Sequence, residues 1–175
     1  MKSDRVRYRT VADRSAVLIE ARSNVGPITF GTTTIGGSLE VTRDGAGIAL
    51  TESPTAELVV DLNTLRSGNA LYDAELLRRV DARQYPQTVV TLGAARPIGT
   101  SGRYELDGHL TFHGITREIT GTVAATVEAN GDITVAGEHV FDIRDFNVSA
   151  PTVLMLRIYP DVRVQLQITA VAEEA

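Results

Sequence analysis

The sequence predicts an all-β fold: one antiparallel domain of about eight strands with a single inserted helix. Three observations predict it. Segments that alternate apolar and polar residues with a period of two recur along the chain, and glycine-rich turn signals separate them. The composition is 43% hydrophobic but only 5% aromatic, with no Trp, so the core is built from Val, Ile, Leu, Ala and Thr. β-Branched side chains are stiff at χ1 and pack well on a pleated surface. Successive strand residues face opposite ways, so a period of two marks a strand with one face buried.

In chain order, shorter strand candidates lie at 17–22, 29–41, 48–51 and 57–62, with a turn at Arg43-Asp44-Gly45-Ala46-Gly47. The segment Asn69 to Arg83, NALYDAELLRRVDAR, breaks the pattern. It opens on a capping-type Asn, spaces Leu71, Leu76, Leu77 and Val80 near the helical repeat, and sets acids early and arginines late, which predicts the helix. Strands resume at 88–94, and a turn follows at Pro97-Ile98-Gly99-Thr100-Ser101-Gly102. From 103 to 113, Tyr104, Leu106, Gly108, Leu110 and Phe112 alternate with Arg103, Glu105, Asp107, His109, Thr111 and His113. A tight turn at His113-Gly114 leads into 117–128, where Ile119, Gly121, Val123, Ala125 and Val127 share a face. Asn130-Gly131-Asp132 turns into a strand at 133–143, and the final strand sets Val162, Val164, Leu166, Ile168 and Ala170 against Arg163, Gln165, Gln167 and Thr169. Single-faced alternation of this kind fits a sandwich or a closed barrel.

The bulk numbers narrow the function. At 175 residues the chain fits one domain spanning 1–175 and is long enough to bury a core without staples. The formal charge is −5 and no basic run is dense enough to neutralise a phosphate backbone, so nucleic acid is not an expected partner. With no cysteine, thiolate nucleophiles, disulfides and Cys-ligated zinc are excluded. The opening MKSDRVRYRTVADRSAV has no apolar h-region, from which a cytoplasmic location is expected. The longest apolar run, APTVLMLRIYP at 150–160, is interrupted by Arg157 and too short to span a bilayer.

Catalytic signatures are thin. His109 and His113 share a strand face but stand roughly 13 Å apart, too far to hold one metal ion, and read as part of a hairpin on the solvent side. His139 differs: it sits on the apolar face formed by Ile133, Val135, Gly137, Phe141 and Ile143, as a core histidine or a polar handle in an otherwise apolar cavity. Arg144 and Asp145 are neighbours and need not pair with each other, so they read as a tie to nearby loops. No Gly-x-Ser-x-Gly elbow and no phosphate loop is present, and no cofactor is implied. If the sheet closes, Gly108, Gly121, Ala125, Gly137 and Ala170 among larger interior residues leave room for a small ligand.

The order of motifs resembles the YceI-like family from about Ser15 to Ala172. The most specific part is Leu106-Asp107-Gly108-His109-Leu110-Thr111-Phe112-His113-Gly114-Ile115-Thr116-Arg117-Glu118-Ile119. Supporting it are Asp61-Leu62-Asn63-Thr64, the helix around Asp73 to Leu76 leading to Gln84-Tyr85-Pro86, and Phe141-Asp142-Ile143-Arg144-Asp145-Phe146 followed by the final strand. The resemblance implies a lipocalin-like β-barrel that binds a polyisoprenoid or other long apolar molecule without transforming it. On that reading, alternation places Leu58, Val60, Leu92, Leu106, Leu110, Phe112, Val123, Val127, Phe141, Leu166 and Ile168 in the interior, with His139 as a polar anchor. Leu76 and Leu77 would cover one barrel end as a lid. A filled barrel serving as a structural or interaction module is the second expectation, and a cavity enzyme using His139 as acid–base the third. An outer face rich in Thr and Arg permits a homodimer without requiring it.

Overall fold

The computed structural model describes residues 4–45, 47–99, 102–150, 152–153 and 156–173. Positions 46, 100 and 101 of two predicted turns, 151, 154 and 155 of the apolar run, and both chain ends of the expected 1–175 domain lie outside them. The chain runs through β1 (Asp4–Thr10), β2 (Ala16–Ser23), β3 (Gly26–Thr32), β4 (Ile35–Asp44), β5 (Gly47–Ala49), β6 (Thr55–Asp61), α1 (Ala70–Arg79), β7 (Gln87–Pro97), β8 (Arg103–Phe112), β9 (Ile115–Val127), β10 (Ile133–Asp142), β11 (Thr152–Val153) and β12 (Leu156–Ala172). All strand pairings are antiparallel.

Eight strands close the barrel in the order β1-β4-β6-β7-β8-β9-β10-β12, with β12 returning to β1. Closure depends on the length of β12. Its C-terminal end pairs with β1 through Tyr8↔Ala172 and Thr10↔Ala170, and its earlier residues pair with β2 through Val17↔Leu166 and Ala21↔Val162. Thus β1 and β2 follow one another along a single edge of β12, and β3 extends the wall beyond β2. The outer edge of β3 is tied down at Gly31, whose N–H donates to the Arg66 carbonyl while the Arg66 N–H donates back, at 2.9 and 3.0 Å. That link keeps the segment between β6 and α1 against the barrel rather than leaving an open edge.

Local chemistry explains where the elements break. The strand expected over 29–41 is two strands, because the Thr32 hydroxyl accepts the Thr34 N–H at 3.0 Å and meets the Thr64 hydroxyl at 2.8 Å, a side-chain turn that competes with the ladder. β8 and β9 join through His113 and Gly114, both at positive φ (54° and 73°), the conformation of a two-residue hairpin turn that follows strand twist. Asn69 caps α1 by accepting the Leu71 and Tyr72 N–H groups at 3.0 and 3.2 Å. The helix ends at Arg79 rather than continuing to Arg83, since Asp81 turns left-handed (φ 51°) and the Ala82 N–H donates to the Leu77 carbonyl.

The core is layered along the barrel. Tyr8, Val41, Ile133 and Ala170 fill the end away from the helix, while Val17, Ile35, Val60 and Ile168 lie in the middle. At the other end Phe30, Leu62, Leu65, Val80 and Ala82 form a plug onto which α1 packs through Tyr72, Leu76 and Leu77. Among the described residues no helix is long and apolar enough to cross a membrane.

Candidate functional site

Between these layers lies a cavity of about 1090 Å³. That volume stands at the upper end of small-molecule sites, roughly 300–1,000 Å³. On β8 alone Tyr104, Leu106, Gly108, Leu110 and Phe112 line it, which spans about 26 Å of strand at roughly 3.3 Å per residue. The cavity is therefore elongated. Its wall is formed by the inward residues of the barrel strands, and the side of α1 bearing Tyr72, Glu75, Leu76 and Arg79 borders it at one end.

The structure brings most of the expected interior residues to this wall. Leu58, Val60, Leu92, Leu106, Leu110, Phe112, Val123, His139, Phe141, Leu166 and Ile168 all line the cavity, as does Leu76. Two are placed elsewhere. Val127, near the end of β9, packs against the Tyr8, Val41, Ile133 and Ala170 layer, because Ile133 pairs with it and seals that end. Leu77 packs into the plug beside Leu62 and Leu65, on a helix face turned from the lumen.

Sequence reasoning missed another part of the wall, contributed by Val17 and Ile19 on β2, Ile28 and Phe30 on β3, and Ile35 and Leu39 on β4. The signal was present in β2, where Val17, Ile19 and Ala21 alternate with Leu18, Glu20 and Arg22. In β4 the adjacent glycines hid it: a Cβ on Gly37 (φ 144°) would strike the Glu57 backbone carbonyl, so glycine there serves strand approach.

The small interior residues are not equivalent. A Cβ on Gly108 would run into the Thr91 carbonyl oxygen, so glycine there permits close strand approach, while one on Gly137 would stand 2.9 Å from Val123 Cγ1, so glycine there makes room for the Val123 side chain. Gly121 is different, since the nearest atom to its Cβ position is His139 Nδ1 at 3.6 Å, an ordinary contact distance. The His139 ring also stacks at a tilt on Phe141, centroids 4.4 Å apart. It makes no hydrogen bond among the described residues.

The remaining histidines lie off the cavity wall. His109 is exposed, 3.9 Å from the Glu118 carboxylate. His113 was expected on the solvent face with it, yet it is half-buried: its Nδ1 meets the Phe146 carbonyl oxygen at 2.9 Å and its ring lies edge-on to Tyr85. The positive φ at His113 swings the side chain off the strand's outer face and onto the Ile143–Phe146 turn. In that turn Arg144 pairs with Asp142 rather than with Asp145, and Asn147 takes the left-handed conformation (φ 58°). The Arg144 guanidinium and the Arg144 N–H hold the Asp142 carboxyl below the usual carboxylate range.

Beside the cavity, Glu75 accepts hydrogen bonds from Arg79 at 2.7 Å and Arg78 at 2.8 Å, and these hold its carboxyl below the usual range. One carboxylate is thus shared by two guanidiniums, which leaves this helix edge of the lumen with a net positive charge. Among the described residues no three His, Asp or Glu side chains converge as a metal site.

A family model described as the YceI-like domain matches residues 8–170. Similar solved structures include Burkholderia cenocepacia BcnA, 19% identical, covering 93% of this chain and 99% of that one with a TM-score of 0.77. A polyisoprenoid binding domain from Saccharophagus degradans implicated in plant cell wall breakdown is 16% identical, with 96% and 99% covered and a TM-score of 0.75. The Campylobacter jejuni YCEI protein is 16% identical, with 69% and 73% covered and a TM-score of 0.57. No curated protein matches the chain. At these identities the likeness of structures establishes the barrel architecture, and with a family match that runs across nearly all of its strands, from β1 to β12, the chain belongs to the YceI-like family.

Proposed function

We propose that the protein binds and carries a long apolar molecule of the polyisoprenoid or lipid class inside the barrel, without transforming it. The observation that carries this reading is the elongated cavity of about 1090 Å³ walled by aliphatic and aromatic side chains. An eight-stranded barrel can be filled by its own side chains or hold a ligand. Here Leu106, Val123, Phe141 and Leu166 keep part of their surface uncovered towards the lumen, and a chain of apolar ligand would remove that surface from water at about 25 cal/mol per Å². The polyisoprenoid binding domain of Saccharophagus degradans shares the architecture and supports the choice of ligand class. The same void argues against the filled interaction module. Catalysis by His139 is disfavoured because no carboxylate is paired with its ring among the described residues.

In this reading α1 is the cover of one end, with Leu76 at the lumen and Leu77 anchoring it in the plug. The test is native mass spectrometry of gently purified protein, followed by organic extraction and identification of what leaves. A stoichiometric apolar adduct, diminished when Leu166→Gln or Phe112→Gln is introduced into a barrel that stays folded, is the expected result. An adduct-free mass from several expression hosts, together with failure to take up added long-chain lipid, would overturn the carrier.

A further inference from the structure

Within this otherwise aliphatic wall one element pairs a polar group with open space. His139 lines the lumen from β10, and facing its Nδ1 is Gly121 on β9. Glycine in a strand interior is unfavourable relative to alanine, so it generally marks a close approach or a demand for room. At Gly121 the backbone is not left-handed and a Cβ would meet only the imidazole, at an ordinary van der Waals distance. No strand crossing requires it, in contrast to Gly108. What its missing side chain does is leave room against the imidazole.

Resting on the carrier reading above, we propose that His139 and the space over Gly121 form a subsite for one uncharged hydrogen-bonding group of the ligand, a hydroxyl or carbonyl, seated inside the barrel. A neutral imidazole offers one N–H donor and one nitrogen acceptor, so it can serve either group. Phe141, stacked on the ring, fixes its orientation. The group is uncharged because a charge buried here would need a partner of opposite sign. The neighbours of the His139 ring, Gly121 and Phe141, are uncharged; Asp107 and Glu138 lie on the outer wall with Arg96 and Arg163, and the charges at the lumen edge belong to α1, where Glu75 holds Arg78 and Arg79. The ligand class that follows is a long hydrocarbon chain with a single alcohol, phenol or carbonyl group, as opposed to a pure hydrocarbon or a phosphorylated lipid.

The experiment compares 1-hexadecanol, hexadecane and hexadecyl phosphate, delivered from cyclodextrin, by displacement of N-phenyl-1-naphthylamine from the wild type, His139→Leu and His139→Gln. The 15N resonances of the His139 ring are followed in parallel. Expected is about tenfold tighter binding of the alcohol than of the alkane, the worth of one net hydrogen bond. That preference should vanish in His139→Leu, return in part in His139→Gln, and accompany a ring 15N shift seen with the alcohol alone. Equal binding of alcohol and alkane, a preference that survives in His139→Leu, or tightest binding of the phosphate overturns the subsite while leaving the carrier intact. Failure of the wild type to bind any of the three overturns the carrier itself. Should His139→Leu not fold, the 15N response of the wild type decides the matter.

Discussion

The His113 Nδ1 lies 2.9 Å from the Phe146 carbonyl oxygen, and because a carbonyl can only accept, the proton between them belongs to the imidazole. This bond ties the β8–β9 hairpin to the turn after β10, at the end of the barrel that α1 covers. Removing it with His113→Ala leaves a part-buried carbonyl without its donor and should cost about 1–3 kcal/mol. Gly114→Ala should cost more, since φ is 73° there and a Cβ would stand 2.6 Å from the Tyr85 ring. Urea unfolding of both variants checks the order; a Gly114→Ala protein as stable as the wild type would contradict it.

The lumenal glycines give a sharper contrast. Gly108→Ala drives a Cβ into the Thr91 carbonyl and must shift a strand, so a loss of at least about 2 kcal/mol is expected. Gly121→Ala meets only the His139 ring at 3.6 Å and should be neutral or stabilising by about 0.4–1 kcal/mol, as for glycines whose backbone suits alanine. Thermal denaturation of the pair tests this, and equal destabilisation would mean that the wall at Gly121 is packed rather than open.

Much of the barrel was legible because period two survives wherever one face meets the lumen. Leu106, Leu110 and Phe112 could be assigned inward from β8 alone, and the His113-Gly114 turn from its residue types. Three features escaped. β1 reads DRVRYRT, and its Arg-rich outer face masks Val6 and Tyr8, although Tyr8 is among the most buried side chains. The layer positions of Val127 and Leu77 depend on which end of the barrel closes, and closure is set by the long β12 pairing with β1 and β2 in turn. Alternation within one strand carries no information about that. The role of His113 escaped for a related reason: a positive φ takes a residue out of the alternation that names its face.

Wall positions should separate into those that carry stability and those that carry capacity. Ile168 is 2% exposed, in contact with the Val17, Ile35 and Val60 layer, and Ile168→Ala should cost about 2–5 kcal/mol. Leu106 borders the void, so Leu106→Phe fills space without overpacking and should leave stability unchanged or raise it by about 0.5–2 kcal/mol. The same variant should take up shorter chains than the wild type. Calorimetry alongside a ladder of chain lengths measures both; loss of stability in Leu106→Phe would show that the void is smaller than described.

On the outer wall, Arg96 donates to Asp107 at 2.6 and 3.1 Å and to Glu105 at 2.6 Å, and Thr120 donates to Asp107 at 2.9 Å. Arg96, then Thr120, hold the Asp107 carboxyl below its ordinary 3.8. A depressed folded-state value means that the contribution is present above the unfolded value and is lost as pH falls below 3.8 through the folded one. In Arg96→Met, Asp107 should titrate nearer the ordinary value and the stability should depend less steeply on pH in that acid window. Carboxyl 13C titration of the two proteins reads this directly, and an unmoved Asp107 midpoint would show that the pairing does not persist in solution.

Access to the lumen should respond to the end of the helix that is capped by one side chain. Asn69 satisfies the Leu71 and Tyr72 N–H groups, while Leu71 itself is 80% exposed and contributes little packing. Asn69→Ala should cost about 0.5–2 kcal/mol, concentrated in the first turn of α1, because the plug contacts of Leu76 and Leu77 lie further along. Hydrogen exchange should accelerate at Leu71, Tyr72 and Asp73 and not in β8 or β12. If α1 is the cover through which ligand passes, the same variant releases bound 1-hexadecanol faster than the wild type with its affinity changed little, since entry and exit speed up together. Faster amide exchange with an unchanged release rate would assign entry to another part of the barrel and leave α1 as a fixed plug.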